Sequence, residues 1–253
     1  MILQPPLIAE IRALRAMGSF CPTLGAVDFG CGFFTLGIAM LREGIPTDGI
    51  DTAEAMVAAS RSTIAQAATH LPSISGFTPR IVQSHSELPR EKYGLGLLSF
   101  VHQCAANVGE LRTLLTQVGN HLLHGGNLLM IGAHPNKANL SEPHASCEYD
   151  WPKDRDLADG DAYTGRIFNG KGEKVVDLDG ERYWSLGTLR QILTEVGFYP
   201  ENLVPIDDKP SAGRKASVTA PFFMLTAIKL DGSDPRDPHS MLRRLEAEGR
   251  LRN

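Results

Sequence analysis

The sequence lacks an excess of basic residues, and this absence bears on the class of partner. Its 253 residues include 25 Lys and Arg against 29 Asp and Glu, which gives a formal net charge of -4. A protein that holds the phosphate backbone of a nucleic acid needs a positively charged surface. The charge balance therefore favours a partner other than nucleic acid.

Paired cysteines are lacking as well. The chain has four widely spaced cysteines and no Cys-x-x-Cys pair: Cys21, Cys31, Cys104 and Cys147. This spacing predicts neither a zinc knuckle nor a disulfide framework. No metal-ligand spacing occurs among the histidines His70, His121, His124, His144 and His239. We therefore expect reduced thiols and no required metal.

The chain also lacks long apolar runs. No stretch of about 18 apolar residues occurs, as a membrane helix would require, and the first residues show no basic region followed by an apolar run. We therefore expect no membrane span, no secretory signal and a cytoplasmic location. The hydrophobic content of 42% and charged content of 21% are those of a globular protein. The length fits one α/β domain over residues 1–253.

What the sequence does contain is a regular alternation of short apolar runs with helical patterns. Apolar spacing predicts helices at Leu7–Met17, Thr35–Glu43, Ala53–Thr69, Val108–Leu123 and Leu186–Val196. Short apolar runs predict strands at Leu24–Phe29, before Asp51, and at Arg80–Gln83, Gly94–Phe100, Asn127–Gly132, Leu203–Ile206 and Phe222–Leu230. Thr52 is the expected N-cap of the third helix. The alternation predicts a doubly wound, mostly parallel sheet with helices on both faces.

The alternation is interrupted after the fifth strand by residues 135–182, which are polar and rich in Asp and Gly. A connection of this length predicts a functional insertion, and we expect a lid. Its aromatic residues, and those that directly follow it, either line a substrate pocket or anchor the insertion on the sheet; the candidates for the pocket are Tyr149, Trp151, Tyr163 and Trp184. Residues 231–253 are expected to form a C-terminal tail with a charged surface helix at Met241–Glu248.

A loop with two glycines joins the first predicted strand to the next helix. Gly30 and Gly32 allow a sharp turn and the close approach of a ligand. Asp28 precedes them, where its carboxylate can reach a ligand ammonium group. Asp51 ends the next strand, near the ~20-residue offset at which an acidic side chain pairs with ribose hydroxyls. A tight turn that holds no ligand is the alternative interpretation of the loop.

Several motifs follow one another along the chain. They are Val27-Asp28-Phe29-Gly30-Cys31-Gly32, Gly49-Ile50-Asp51, Glu87-Leu88-Pro89, Leu123-His124-Gly125-Gly126 and Val196-Gly197-Phe198. In their order and spacing, over roughly residues 24–230, the chain resembles the class I S-adenosylmethionine-dependent methyltransferases. A NAD-dependent dehydrogenase fits less well, because its fingerprint has a glycine where this chain has Thr35.

The resemblance implies a Rossmann-like seven-stranded sheet whose last strand is antiparallel. It also implies S-adenosylmethionine as the cofactor, with its methionine half near Asp28, Gly30 and Gly32 and its ribose at Asp51. The full set of predicted cofactor residues is Asp28, Gly30, Cys31, Gly32, Asp51, Thr52, Ser84, His85 and Phe100. Cys31 is expected to act as a small filler rather than as a nucleophile.

Three positions depart from the family pattern. Phe34 stands where many members have a third glycine, and its ring either crowds the cofactor or points into the core. Ser84 stands where an acidic residue contacts the adenine, and Gly94 where the fourth strand begins with an aspartate. These departures keep a second hypothesis open, in which the chain is a degenerate member that binds partners without catalysis.

The loops after the fourth and fifth strands are expected to contact the methyl acceptor. His102 is the first candidate catalytic residue and His134 the second, because imidazole titrates near neutral pH; packing is the alternative role for both. Gln103 is expected to line the same pocket. The resemblance implies transfer to O or N of a small metabolite, in secondary metabolism. A protein or RNA acceptor is the alternative.

Overall fold

The computed structural model describes residues 3–71, 77–135, 147–151, 155–168, 172–206 and 220–231. Its helices are α1 (Gln4–Ala16), α2 (Thr35–Arg42), α3 (Glu54–Ala67), α4 (Val108–His121) and α5 (Leu186–Glu195). Its strands are β1 (Ala26–Phe29), β2 (Thr47–Ile50), β3 (Ile81–Val82), β4 (Tyr93–Ser99), β5 (Leu122–Ala133), β6 (Cys147–Asp150), β7 (Ala162–Phe168), β8 (Lys174–Arg182), β9 (Phe198–Ile206) and β10 (Phe222–Lys229). None of the described helices is long and apolar enough to cross a membrane.

Seven strands form one sheet in the order β3-β2-β1-β4-β5-β10-β9. The five neighbouring strands β3, β2, β1, β4 and β5 pair in parallel. Strand β10 is antiparallel to both of its neighbours, β5 and β9. This arrangement confirms the predicted α/β class and the mostly parallel seven-stranded sheet. It also confirms that the last strand, predicted at Phe222–Leu230, is the antiparallel one.

Apolar side chains cover both faces of the sheet. Val27 and Phe29 of β1 pack in a cluster with α4 and α5. Ala26 points to the opposite face, where the cluster includes α1 and α2. Successive residues of a strand face opposite sides, so a strand that is covered twice must be apolar along its whole length. This constraint explains why short unbroken apolar runs marked these strands in the sequence.

One edge strand of the sheet, β9, differs from its prediction in the sequence. Strand β9 begins at Phe198, well before the predicted start at Leu203, and it includes Pro200 and Pro205. A proline cannot donate to a strand ladder, but β9 is the outer strand and pairs only with β10 in the sheet as described. The prolines are therefore tolerated at this edge, and the prediction missed only the first part of the strand, around Pro200.

Two local predictions also need correction. Thr52 is not the N-cap of α3, because the helix is preceded by Ala53 and its cap position makes no side-chain hydrogen bond. The Gly125-Gly126 turn does not precede β5 but lies within it, at a shift in the β4–β5 register between Tyr93 and Leu95. Gly125 has φ of 76°, which a glycine adopts without strain.

The insertion at residues 135–182 contains more regular structure than the short strand-like pieces expected from the sequence. Strands β6, β7 and β8 form a separate antiparallel sheet in that order. Cys147 and Tyr149 of β6 and Ile167 of β7 join the core cluster that lies against α1. The insertion is thus packed onto the main sheet. The predicted tail helix at Met241–Glu248 lies outside the described residues.

An ionic cluster around the buried carboxylate of Asp48 joins the strands on one side of the sheet. Asp48 of β2 accepts hydrogen bonds from the backbone N–H of Arg80 (2.9 Å), from Arg80 Nη2 (2.9 Å) and from the Tyr93 hydroxyl (2.6 Å). Burial raises the pKa of Asp48, but the hydrogen bonds from Arg80 and Tyr93 outweigh that effect and hold it below its usual value. The cluster therefore stabilises the ionised carboxylate.

We expect Asp48→Asn to lower the free energy of unfolding by about 3 kcal/mol at pH 7, because it breaks a buried charged network. Since the folded-state pKa is depressed, this contribution is present above the unfolded-state pKa of about 4 and is lost as the pH falls through the folded-state value. Urea unfolding of both proteins between pH 7 and pH 3 measures the difference.

The matched control is Asp177→Asn, which removes an exposed ion pair with Lys174 at 2.8 Å. Its effect should stay below about 1 kcal/mol. An equal loss of stability in the two variants, or a loss in Asp48→Asn that does not shrink in acid, would contradict the assignment.

Candidate active site

The loop after β1 places two glycines with different surroundings. Gly30 and Gly32 both have left-handed backbones, with φ of 63° and 50°. A Cβ built on Gly30 would overlap Val101, in the loop after β4. A Cβ built on Gly32 would have no atom within 4 Å. Gly30 is therefore needed for packing inside the protein, whereas Gly32 is the glycine whose backbone faces open space.

Asp51 connects this loop to the end of β2. Its Oδ2 accepts a hydrogen bond from the Gly32 N–H (2.9 Å), and its Oδ1 accepts one from the Ala53 N–H (3.0 Å). An ionised carboxylate offers about four acceptor sites. Two remain for further donors, such as the hydroxyls of a diol.

Ser60 of α3 also holds this loop in place, through the Gly32 carbonyl oxygen. This role was not predicted from the sequence. The single proton of the Ser60 hydroxyl is shared between the carbonyl oxygens of Gly32 and Met56. The Cys31 Sγ lies 3.5 Å from the Ser60 Oγ. Burial raises the pKa of Cys31 to about 12, so the thiol stays protonated, as a packing role requires. A serine in an alanine-rich helix carries no periodic signal that would mark it as a loop contact.

Asp28 lies on β1 and is almost completely buried. Burial raises the pKa of Asp28 to about 7; a hydrogen bond from the Gly37 backbone opposes this rise, and the charge of Asp51 adds to it. The carboxyl group is thus close to half-ionised at neutral pH. A cationic ligand group nearby would favour its ionised form.

Phe34 points into the core and not towards the open face of the loop. It has φ of 58°, lies directly before α2 and is fully buried. Its ring occupies the space above Gly37, and a Cβ on Gly49 would lie 2.9 Å from that ring. Its burial with Ile38 and neighbouring apolar residues offsets the strain of a left-handed backbone. Phe34 therefore does not crowd the ligand side of the loop.

The other two departures also have local causes. Ser84 caps the short 3-10 turn His85–Glu87. Its hydroxyl oxygen accepts a hydrogen bond from the Ser86 N–H, and the Glu87 carboxylate accepts one from the Ser84 N–H. A Cβ on Gly94 would lie 2.9 Å from Leu24 Cβ. Both positions thus serve the packing and capping of this particular chain.

The remaining predicted cofactor residues lie at the carboxyl ends of neighbouring strands. The Thr52 carbonyl oxygen accepts from Gln83 Nε2 (3.1 Å), which joins the loops after β2 and β3. The His85 ring stacks at 5.9 Å on Phe29. Phe100, at the end of β4, has φ of 61° and meets Phe222 edge-on at 5.6 Å. Their contact with a cofactor stays a prediction.

A small pocket lies beyond these loops, between the main sheet and the insertion. It is lined by His102, Gln103, Ala133, His134, Tyr163, Arg182, Tyr183 and Trp184. Val101, which contacts Gly30, directly precedes His102, so one short segment borders both the glycine loop and the pocket. The structure thus brings together five of the residues predicted for the acceptor site.

A buried hydrogen-bond network holds one wall of the pocket. Gln103 Nε2 donates to the Tyr163 hydroxyl oxygen and to Glu181 Oε2 (3.1 Å), and the Tyr163 hydroxyl donates to the same Glu181 oxygen (2.8 Å). The Ala133 N–H donates to Gln103 Oε1 (3.3 Å). Burial raises the pKa of Glu181, and the hydrogen bond from Tyr163 limits the rise. Glu181 was missed in the sequence because it lies in a polar, strand-like segment.

The two candidate catalytic histidines are neutral groups in this environment. His102 is 2% exposed and packs edge-on against Phe223. Burial lowers the pKa of His102 to about 3, and burial also lowers the pKa of His134. A histidine with so low a pKa is a weak proton acceptor. Contact with an acceptor molecule stays a prediction for both residues, as neutral hydrogen-bonding groups.

The predicted aromatic residues divide between the two roles considered for them. Tyr163 and Trp184 line the pocket. Tyr149 and Trp151 stack on each other at 5.6 Å and pack around Tyr163 behind that lining. They anchor the insertion and support the pocket wall. Among the described residues, no group of three or more His, Cys, Asp or Glu side chains has the geometry to hold a metal ion.

The two loop glycines generate a prediction with an internal control. Gly30→Ala should lower the free energy of unfolding by about 3 kcal/mol, because the methyl group adds overpacking to left-handed strain. Gly32→Ala should cost about 1 kcal/mol, from the strain alone. Chemical unfolding measures both changes.

Gly18 provides the matched control, since it has φ of 72° and no atom within 4 Å of its built Cβ. Gly18→Ala and Gly32→Ala should therefore lose similar stability. If Gly30→Ala were no more harmful than these two, the contact with Val101 would not be the reason for this glycine.

No protein-family model matches the sequence, and no curated protein matches it by sequence either. Solved structures do match. The glycopeptide N-methyltransferase MtfA, complexed with sinefungin, is 18% identical with a TM-score of 0.56 over 88% of this chain and 86% of that chain. An S-adenosylmethionine-dependent methyltransferase from Mesorhizobium loti is 21% identical with a TM-score of 0.52 over 87% and 97%.

A third match is the magnesium protoporphyrin IX methyltransferase from Synechocystis PCC 6803, with bound S-adenosylmethionine. It is 15% identical with a TM-score of 0.53 over 89% of this chain and 79% of that chain. The three similarities cover 87–89% of this chain and 79–97% of the matched chains. The chain therefore has the fold of the class I S-adenosylmethionine-dependent methyltransferases.

Proposed function

We propose that this protein is a methyltransferase that uses S-adenosylmethionine to methylate an O or N atom of a small molecule. The observation that carries the proposal is the loop after β1. Its Gly32 backbone faces open space and is hydrogen-bonded to the carboxylate of Asp51. A backbone without a Cβ beside an acceptor-only carboxylate suits a ligand with a diol.

The residues present fit the cofactor. Asp51 retains lone pairs for the ribose hydroxyls, and Asp28 offers a buried carboxyl group to the ammonium of the methionine half. The glycine at position 32 lets that half approach the backbone. When bound, the cofactor supplies a methyl group on a positively charged sulfur. Crystals of structurally similar proteins with S-adenosylmethionine or sinefungin support this choice of cofactor.

The pocket beside the loop supports a small acceptor. Tyr163, Arg182 and Trp184 come from the insertion or its flank, and together with His102 they enclose the space at the ends of β4 and β5. The formal net charge of -4 disfavours an RNA acceptor. We further propose a role in secondary metabolism; the similar glycopeptide N-methyltransferase, at 18% identity, supports the fold alone.

The position of Phe34 bears on the hypothesis that the chain is a degenerate, non-catalytic member of the methyltransferase family. That hypothesis depended partly on a bulky side chain in the cofactor loop, and the buried position of the ring removes this objection. We also propose a cytoplasmic location; the four cysteines, which all lie within the described residues, form no disulfide with one another.

The first test is binding of S-adenosylhomocysteine, measured by calorimetry and by the thermal shift of the protein, with NAD as the comparison. Saturating S-adenosylhomocysteine should raise the melting temperature, because it binds only the folded state. NAD should not. A shift with NAD and none with S-adenosylhomocysteine would contradict the proposal.

Asp51→Ala should weaken S-adenosylhomocysteine binding by about 10- to 100-fold, because hydrogen bonds to a charged group contribute ~1.5–3 kcal/mol. Asp179→Ala is the matched control, since Asp179 is exposed on β8. It should leave the affinity unchanged. Unchanged affinity in Asp51→Ala would remove the ribose assignment.

The raised pKa of Asp28 predicts a pH dependence of binding. The carboxyl group ionises as the pH rises through about 7, and its ionised form attracts the ligand ammonium. Affinity for S-adenosylhomocysteine should therefore increase between pH 6 and pH 8, and Asp28→Asn should abolish the increase. Calorimetry at several pH values measures both, and an identical pH profile in the variant would exclude this contact.

A further inference from the structure

The pocket at the ends of β4 and β5 is closed in this structure. Its cavity measures about 10 Å³, which is room for about one water molecule. The loops after β4 and β5 form one side of the lining. The insertion and its flank form the other side, with Tyr163, Arg182, Tyr183 and Trp184. A molecule of even a few carbon atoms must therefore displace the insertion before it reaches these strand ends.

Buried polar atoms without a hydrogen-bond partner gather where the insertion meets the main sheet. In the described part of the chain four side-chain N or O atoms are buried and unpaired, and three of them lie here: His102 Nδ1, Tyr149 Oη and Trp184 Nε1. The Cys147 thiol lies beside the Tyr149 hydroxyl, but a thiol is a weak hydrogen-bonding group. A polar group that is unpaired when buried is paired in water. The closed arrangement is thus penalised at three points, and opening would relieve each of them.

One hydrogen-bonded cluster crosses this contact and opposes opening. Gln103 Nε2, after β4, donates to the Tyr163 hydroxyl oxygen of β7 and to Glu181 Oε2 of β8, and the Tyr163 hydroxyl donates to the same carboxylate oxygen. We call these three residues the latch. Burial raises the pKa of Glu181, so its ionised form is more stable in water than in this position. The latch is therefore a set of hydrogen bonds that opening exchanges for hydrogen bonds to water.

The insertion carries a small apolar cluster of its own. The ring centroids of Tyr149, Trp151 and Tyr163 lie 5.4–5.8 Å apart. Leu157 and Tyr183 pack against these rings, and Ala133 joins them from the main sheet. A segment that keeps its own packing contacts can separate from its neighbours at a lower free-energy cost than global unfolding. The small sheet is built in this way.

We infer that the small sheet of β6, β7 and β8 is a lid, closed in this structure, which separates from the main sheet as a unit when the latch breaks. Opening uncovers the ends of β4 and β5 and gives water access to the three unpaired atoms. On the proposed function, this opening admits the methyl acceptor, and that role of the lid rests on the proposed function. The opening itself is a property of the protein without any ligand.

Cys147 of β6 is a natural reporter of this opening. Its side chain is fully buried in the cluster that includes α1, so its thiol reacts only after the lid has separated. The test measures the rate at which iodoacetamide alkylates Cys147 in the folded protein, with each cysteine quantified by peptide mass spectrometry. Lid opening exposes less surface than global unfolding, so this rate should rise less steeply with urea than global unfolding does. An equal dependence on urea would overturn the inference.

The same substitution on two neighbouring rings should change this rate in opposite directions. Tyr163→Phe removes hydrogen bonds of the latch and should speed the alkylation of Cys147 about tenfold. Tyr149→Phe removes a buried, unpaired hydroxyl and should slow the alkylation by about three- to tenfold. If both residues served only the packing of the insertion, neither loss would slow the reaction. Faster alkylation in Tyr149→Phe, or an unchanged rate in Tyr163→Phe, would overturn the inference.

Tyr199→Phe is the matched control, because Tyr199 lies on β9 at the outer edge of the main sheet. It should leave the rate unchanged. Hydrogen exchange of the β7 amides should rank the variants in the same order as alkylation, and the opposite order would contradict the lid. If Tyr163→Phe does not fold, Gln103→Leu breaks the latch from the main sheet and should give the same acceleration; an unchanged rate there would overturn the assignment of the latch.

The two proposals fail separately. Absence of S-adenosylhomocysteine binding contradicts the methyltransferase function and leaves the alkylation result intact. Alkylation of Cys147 that follows global unfolding contradicts the lid, whereas binding of S-adenosylhomocysteine at the loop after β1 does not depend on it.

Discussion

The hydrogen bond between the Gly32 N–H and the Asp51 carboxylate is the constraint on which the candidate site depends. It joins the ends of two adjacent parallel strands, β1 and β2, at the edge where ligands bind in this class of sheet. Ser60 holds the opposite side of the same peptide segment. Because both contacts act on backbone groups, the loop keeps its shape without help from a ligand, and binding does not have to order it.

A second set of contacts extends this rigidity to the insertion. Gln103 follows β4, Tyr163 lies on β7 and Glu181 on β8, so their shared hydrogen bonds cross from the main sheet to the small one. The stacked rings of Tyr149 and Trp151 support Tyr163 from behind. The pocket wall is therefore positioned by the same segment that contacts Gly30. The glycine loop and the pocket therefore form one connected unit.

Much of the fold could be predicted from the sequence because buried parallel strands must be apolar throughout and their helices must show one apolar face. The strands around Val27, Leu97 and Leu129 follow this rule. Local chemistry also marked Asp51, since strand ends and glycine turns are visible in the sequence. In contrast, Pro200 concealed the first half of the edge strand β9, where the outer side of the strand tolerates a proline. Glu181 meets Gln103 across 78 positions, and one sequence carries no periodicity that reveals such a contact.

The position of Phe34 has a consequence for comparing sequences within this fold. Its ring fits only because residues 37 and 49 are both glycine. The three positions thus share one volume, which in this chain is filled from position 34. A search pattern that demands a small residue at position 34 rejects this sequence, although the cleft beside Gly32 is open. A pattern that considers the side-chain volumes at positions 34, 37 and 49 together would retain this sequence. It would also predict larger side chains at 37 or 49 wherever position 34 is glycine.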